Sequence, residues 1–592
     1  MRYPILNTYS SQQLWTEQFL GLDKRPRTYD GAFEDMGNMT GEPWPLLSSR
    51  KKRGLVAELK QPLGLVSLGR LAWIDGSTLY YDGKATQIND LSTAEDMLPK
   101  KMVTMGAYIL IFPDGVFYNT ADPEDCGSIN RLYATEEGDE ITYTLCAMDG
   151  TDYPQGKTTA GDTAPARPQD GDYWLDTSGE THALYQWHDE WIGISSVYVK
   201  IAARGIGRGL RVQDTVSLRG IRYTGENEHM RGQLELLNAD HVVQALDEDF
   251  LVVIGIIDQT YTQQSGVLRA DRRIPQMDFL IECSNRLWGC RYGKEKGETV
   301  NRIYASALGD FKNWEKFIGT SQDSYYVNVG TEGPFTGAAV HRGNPCFFKE
   351  NCAHRIYGEK PANFQTQVTV CDGVRPNAGG TLIACNGGLY YLGVNGVQYF
   401  ESLPQPIGKA LGEKRLVGGA AGQAGGRYYL SAQDENGHWS LYVLDMERGI
   451  WHRQDDSHAL AFAELNGEMY MLAADGGLWA LNGSAGEPEA EDVVWYAETA
   501  VMGYEYPQRQ YMSRFLLRMM LSEGADCTVM IQYDGDGIWH SKGTVRGKGG
   551  VKTYLFPVVP RRCGQMKLRL EGHGDMRLYG IARELALGGM TS

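Results

Sequence analysis

Seven times along this chain a short apolar run meets a tight-turn dipeptide and returns as an aromatic-rich run. The units are LAWIDGSTLYYDGK, AYILIFPDGVFYN, FLIECSNRLWGCRYG, NPCFFKENCAHRIYG, TLIACNGGLYYLGVNGVQYF, GRYYLSAQDENGHWSLYVLD and AELNGEMYMLAADGGLWALNG. Asp-Gly and Asn-Gly supply the positive φ that a two-residue hairpin needs, so each unit predicts paired antiparallel strands. Neighbouring units recur at roughly 40 to 60 residues, the spacing of β-propeller blades. One blade cannot bury both of its faces, and stacking blades radially solves that while leaving few open edges. The expectation is an all-β chain built on a β-propeller of six or seven blades. The rival architecture is a row of β-sandwiches.

The repeat is interrupted between residues 136 and 270. TDYPQGKTTAGDTAPARPQDG reads as a Pro- and Gly-rich linker, followed by a compact aromatic unit at 171–194. RVQDTVSLRGI and FLVVIGIID then read as strands. An inserted β domain is expected, its two ends close in space. A polar linker, NGSAGEPEAED at 482–492, precedes alternating apolar and polar runs over 493–592 that predict a C-terminal β-sandwich. The resulting division is a lead-in arm at 1–60, first blades at 61–135, the insertion at 136–270, remaining blades at 271–482 and the sandwich at 493–592.

The net charge of the 592 residues is −17, opposite in sign to that of a DNA-coating protein. The first residues, MRYPILN, show no apolar core of a signal peptide. No apolar run reaches the roughly 18 residues of a membrane span. The ten cysteines form no C-x-x-C pair, which predicts reduced and mostly buried thiols.

No pattern compels catalysis. Phosphate-loop, G-x-S-x-G and H-E-x-x-H motifs are all missing from the sequence. The fragment YASALGDFKNW faintly resembles the aspartate-containing turn of sialidase-type propeller blades, a structural element, and predicts for Asp310 a carboxylate that accepts backbone N–H groups. YDGDGIW begins like a calcium loop but lacks the later ligands and reads as a hairpin turn. His452 and His458 beside Asp455 and Asp456 form a weak metal pattern. The strongest ligand signal is Trp174, Tyr185, Trp187 and Trp191, whose ring faces suit stacking on sugars. The plainer reading is that these rings are the core of a very small unit. No catalytic residue, metal or cofactor is expected.

The stretch NMTGEPWPLLSSRKKRG places Trp44 and its prolines just before Arg50, Lys51, Lys52 and Arg53. Four bases in an acidic chain predict at best a weak, salt-dependent hold on DNA, and a solvated charge run is the plain alternative. The preferred reading is a subunit clasp, with Trp44 and its prolines anchoring the arm on a propeller, its own or a neighbour's, and Arg50 to Arg53 forking to carboxylates on the adjoining subunit.

VNRIYASALGDFKNWEKFIGTSQDSYYVNVGTEGPFTGAAV, CFFKENCAHRIYGEKPANFQ and VVPRRCGQMKLRLEGHGDMRLYGIARELALGG, with GNMTGEPWPLLSSRKKRG, resemble a virion protein of tailed bacteriophages found in prophages of Gram-positive bacteria. The resemblance covers nearly the whole chain and is most specific from Asn301 to Gln365. More distantly the chain is similar to propeller-containing nozzle or packaged-DNA stabilisation proteins of short-tailed phages. That likeness implies a non-enzymatic tail component in the virion, made in the host cytoplasm. It implies a homohexameric ring, contacts with adaptor or connector and fibre proteins, and DNA passing without sequence-specific binding. The alternatives are a receptor- or cell-wall-glycan-binding tail protein and a polysaccharide hydrolase.

Overall fold

The computed structural model describes residues 11–587 except 27, 94–98, 154–156, 180, 296, 489–492, 503–509, 557, 559 and 560. The initial MRYPILN stretch therefore lies outside the described residues. Each hairpin unit recognised in the sequence belongs to its own antiparallel sheet, and there are seven. Blade 1 runs from Pro62–Leu68 to Lys84–Gln87, blade 2 from Lys101–Met105 to Cys126–Ser128, and blade 3 from Phe279–Cys283 to Tyr325–Asn328. Blade 4 runs from Phe335–His341 to Gln365–Val370, blade 5 from Ile383–Cys385 to Pro404–Pro406, and blade 6 from Leu416–Ala424 to Ile450–Arg453. Blade 7 contributes Ala459–Leu465, Glu468–Ala473 and Gly477–Ala480, and takes Gly54–Glu58 as its next strand.

The first strands of the blades pack in sequence around the ring, and Ala459–Leu465 returns to Pro62–Leu68. The chain is thus a closed seven-bladed propeller and not a row of sandwiches. The turns work as their residues dictate: Ser284 and Asn285 hold consecutive φ values of 54° and 58°, the twist a two-residue hairpin needs. Small residues let blades approach. A Cβ on Gly422 in blade 6 would lie 2.5 Å from the Cβ of Phe462 in blade 7.

The insertion leaves after blade 2 and returns before blade 3. Its entering and leaving chains bridge at Arg131–Arg272 and Ala134–Arg269, so its ends are adjacent. It holds a five-stranded sheet with Tyr198–Ala202 at its centre, a three-stranded sheet and a small four-stranded sheet. The helix Glu228–Leu236 is capped by Asn227, whose side chain accepts the Met230 N–H, and buries Met230 and Leu234. Part of the stretch read as a linker is a strand: Thr158–Gly161 runs parallel to Tyr173–Asp176.

The C-terminal sandwich pairs a sheet centred on Gln510–Leu521 and Met576–Leu587 with one centred on Met566–His573. Here the lead-in expected over 1–60 needs correction. Ser11–Thr16 and Leu47–Ser49 both pair with Met576–Leu587, and Phe33–Gly37 pairs with Val494–Thr499. The N-terminal segment is therefore woven into the sandwich instead of standing off as an arm. The physical reason is its apolar set. Phe19, Leu22, Phe33, Met36, Met39 and Leu47 are all buried, in one continuous core with Trp495 and Phe515 of the sandwich and Tyr391, Tyr428 and Trp451 of the propeller. Of the second expected linker, Glu487–Pro488 pairs with Gly54–Leu55, and residues 489–492 lie outside the described residues.

Candidate functional site

The small sheet of the insertion carries the four aromatic residues singled out in the sequence. Trp174 stands opposite Tyr185, and Trp187 opposite Trp191. Tyr185 and Trp187 are two positions apart on one strand, so all four rings share a face. Trp174 stacks on Tyr185 at 5.2 Å between centroids, with 23° between the planes. Trp191 meets Trp174 edge-on at 5.7 Å and Trp187 edge-on at 5.1 Å. All four remain half-buried. The buried pair of this sheet is Leu175 and Leu184, opposite each other in register, so burial falls on the reverse face and the rings keep exposed surface.

The sheet is tied to its surroundings by buried polar groups. His182 Nδ1 lies 2.6 Å from Asp258 Oδ1, and Gln233 of the helix donates to the same oxygen at 2.8 Å. Trp174 Nε1 donates to the Gly161 carbonyl at 3.0 Å. On the reverse face Tyr153 packs on Tyr173 at 4.5 Å, and burial followed by that neighbour pushes the Tyr153 hydroxyl up to about 12. A rigid, half-exposed row of rings can stack on flat apolar faces, as sugar rings present.

The basic stretch has a different fate from the one the sequence suggested. Arg50 and Arg53 are buried, with side chains 9% and 6% exposed. Both close on this chain's own Asp455, Arg53 at 2.6 Å and Arg50 at 4.0 Å. Arg53 also donates to Ser457 Oγ at 3.0 Å and Gln454 Oε1 at 3.1 Å, and Arg50 to Asn38 Oδ1 at 2.7 Å. Burial works against the Asp455 carboxylate, but Arg53, Ser457 and Arg50 prevail and hold it below the usual range. These two arginines are an internal tie between the N-terminal segment and the loop after blade 6, not a surface held out to another copy. Trp44 is half-buried on the same chain, with the Arg448 guanidinium 5.7 Å over its ring. Nearby, Glu42 pairs with Arg427 of blade 6 at 2.9 Å. Lys51 is exposed, 3.9 Å from Glu42, and Lys52 is half-buried.

The acidic patterns resolve into turns and ties. Asp310 accepts the Lys312 N–H at 2.9 Å, the turn role its sequence context suggested. Asp75, Asp372, Asp434 and Asp475 likewise accept main-chain N–H groups. YDGDGIW forms a turn between strands, in which Asp536 accepts the Ile538 N–H. Asp456 pairs with Arg453, His458 stacks on Trp439 at 3.6 Å, and His452 is buried. No group of three or more metal-ligating side chains occurs among the described residues. Seven of the ten cysteines are buried. No helix among the described residues is long and apolar enough to cross a membrane.

One concavity was not read from the sequence. Phe317 and Tyr326 of blade 3 stand half exposed between two adjoining cavities, one closed by Lys360 and Pro361 of blade 4 and the other by Thr215 and Asp240 of the insertion. The signal for it was present in FKNWEKFIGTSQDSYYVN, where apolar rings punctuate a polar loop.

No family model matches the chain, and no curated protein matches it. Similarity to solved structures is distant. BamB from Moraxella catarrhalis matches at 9% identity over 72% of this chain and 97% of its own, with a TM-score of 0.30. A family 43 arabinoxylan arabinofuranohydrolase from Bacillus subtilis matches at 11% over 53% of this chain and 95% of its own, with a TM-score of 0.18. A carbohydrate binding module of family 29 matches at 12% over 22% of this chain and 75% of its own, with a TM-score of 0.12. Likenesses this weak carry no functional argument.

Proposed function

We propose that this chain is a non-enzymatic structural component of a bacteriophage tail, a hub or nozzle subunit. In this reading copies assemble into a homo-oligomeric ring around the DNA exit channel. Adaptor and fibre proteins are its neighbours in the virion. The observation that carries the reading is the woven junction: one N-terminal segment supplies strands to the sandwich and the closing strand of blade 7. A subunit closed in this way transmits load between neighbours without opening at its ends. The net charge of −17 supports the same reading, since an acidic wall repels passing DNA. The engagement of turn carboxylates by the backbone also fits a structural part. Negative-stain microscopy and light scattering of the purified protein, alone and mixed with tail proteins, test it. Rings are expected, and a particle that stays monomeric under both conditions refutes the proposal.

A second reading is favoured by the half-exposed aromatic sheet. In it the inserted unit recognises a host cell-wall glycan, with Trp174, Tyr185, Trp187 and Trp191 as the stacking surface. Pull-down on host cell walls tests this, and retention undiminished by Trp187→Ala with Trp191→Ala sinks it.

A further inference from the structure

We infer that the groove along blade 3, bounded by the insertion on one side and by blade 4 on the other, is a second, separate binding cleft for an oligosaccharide. Phe317 and Tyr326 form a ridge, meeting edge-on at 5.6 Å, and each is about half exposed, at 50% and 49%. On one side lies a cavity of about 460 Å³, walled by Thr320, Ser321 and Lys360. On the other lies one of about 360 Å³, walled by Thr215, Asp240, Arg302 and Trp314. Both sizes fall in the range of small-molecule sites. Because both cavities are lined by the same two rings, they form one groove crossed by an aromatic ridge.

Three features point to a sugar. The first is the presentation of the rings. Arg302 covers one face of Tyr326 at 4.7 Å, yet the residue stays half exposed and lines both cavities. The second is the polar equipment. Hydroxyls, two cations (Lys360 and Arg302) and three acidic residues (Asp240, Glu315 and Asp323) line one groove, a mixed set that suits a neutral ligand rich in hydroxyl groups better than an anion or a purely apolar chain. The third is rigidity. Between the insertion and blade 3, Thr215 donates to the Glu315 carbonyl at 2.8 Å, Asn313 to the Gln213 carbonyl at 3.1 Å, and Lys316 to Gln213 Oε1 at 2.8 Å. The loop carrying Phe317 is held by Asp323, which accepts the Ile318 and Gly319 N–H groups at 2.7 Å each. Burial opposes ionisation of Asp323, but the Thr320 hydroxyl and these N–H groups prevail and keep it a carboxylate. The walls are therefore set before a ligand arrives, which lowers the ordering cost of binding.

The inference does not depend on the aromatic sheet of the insertion, and the test separates the two. Saturation-transfer NMR and tryptophan fluorescence would follow the full chain with chitotetraose, cellotetraose, xylotetraose and mannotetraose. Binding of at least one is expected. Phe317→Ala with Tyr326→Ala should weaken it about tenfold or more, two stacking contacts being lost. Tyr326→Phe should retain it, because the ring and not the hydroxyl does the stacking. Ser321→Trp fills the first cavity while leaving both ridge rings in place and should abolish binding even if the double variant folds poorly. Trp187→Ala with Trp191→Ala should leave this binding unchanged. Binding of none of the four probes overturns the inference. So does binding indifferent to Phe317, Tyr326 and Ser321, or binding lost only with Trp187 and Trp191.

Discussion

Asp455→Asn is the sharpest perturbation of the junction between sandwich and propeller. It removes a carboxylate that faces two buried guanidinium groups, at 2.6 Å from Arg53 and 4.0 Å from Arg50. Breaking a buried pair from one side costs about 3–5 kcal/mol, because the remaining charge loses its compensation from that partner. Two details place this case at the low end. The Asp455 side chain keeps 22% of its exposure, and Arg53 retains its bonds to Ser457 and Gln454. A local loss of about 3 kcal/mol is therefore expected. At 1.36 kcal/mol per decade this is about a hundredfold in the local opening equilibrium.

Hydrogen exchange read by mass spectrometry measures that opening. Peptides spanning 47–58 and 450–458 should exchange about a hundredfold faster in Asp455→Asn. Peptides from Tyr108–Phe112 in blade 2, outside the core that contains the junction, should not change. Acceleration below about threefold, or an equal acceleration in blade 2, would refute the reasoning. The same geometry governs Arg50→Glu with Arg53→Glu. As a subunit clasp this change would weaken assembly and leave the monomer intact. In the structure it sets two new carboxylates against Asp455, so the monomer itself should loosen in the same peptides.

Three further outcomes follow. His341, His354 and His452 are each lowered to about 4, mainly by burial. Unfolded histidine takes up its proton near 6.5, so stability is full above that pH and falls as pH drops from about 6.5 to about 4; urea midpoints taken across this window should decline, and a flat profile contradicts the assignment. Phe33→Ala empties a site 1% exposed in the core shared by sandwich and propeller and should cost about 3–5 kcal/mol in urea unfolding. Gly422→Val forces a side chain against Phe462, where even the Cβ would sit 2.5 Å away; a loss of about 1–3 kcal/mol is expected from overpacking, and an unchanged midpoint would mean the blades can part at no cost.

What the sequence disclosed and what it hid divide by distance along the chain. Each blade hairpin was readable because its turn chemistry is local: Asn285 and Asn466 sit at positive φ, where their residue type predicts a turn. The Asp310 turn was readable for the same reason. The weaving of the N-terminal segment was not. Phe33 pairs with Thr499, and Leu47 with Leu578; no short-range period marks strands whose partners lie hundreds of residues away. Polar composition misled at Thr158–Gly161, which looks like a linker because its parallel pairing exposes most of its side chains. Arg50 and Arg53 read as surface because a run of bases is usually solvated; Asp455, the group that justifies their burial, lies some 400 positions on. The cleft was hidden for a related reason, since Thr215 and Asp240 come from the insertion and Arg302 and Tyr326 from blade 3.

The order in which these closures can form follows from the same topology. Gly54–Glu58 completes blade 7 against Gly477–Ala480, so the propeller can close as soon as residue 480 is present. Ser11–Thr16 must wait for Met576–Leu587, almost the full length of the chain later. Loop-closure entropy rises only logarithmically with length, so this long pairing is cheap in stability. Its cost is kinetic, because non-local β pairings are slow and leave edges open in the meantime. Until then Phe19, Phe33 and Leu47 lack the sandwich half of their core. The Arg50 and Arg53 tie to Asp455 closes within the part already made. It can hold the N-terminal segment beside blade 6 before the last sandwich strands arrive. Arg50 and Arg53 thus act within the subunit, tying the N-terminal segment to the loop after blade 6 beside the core that sandwich and propeller share.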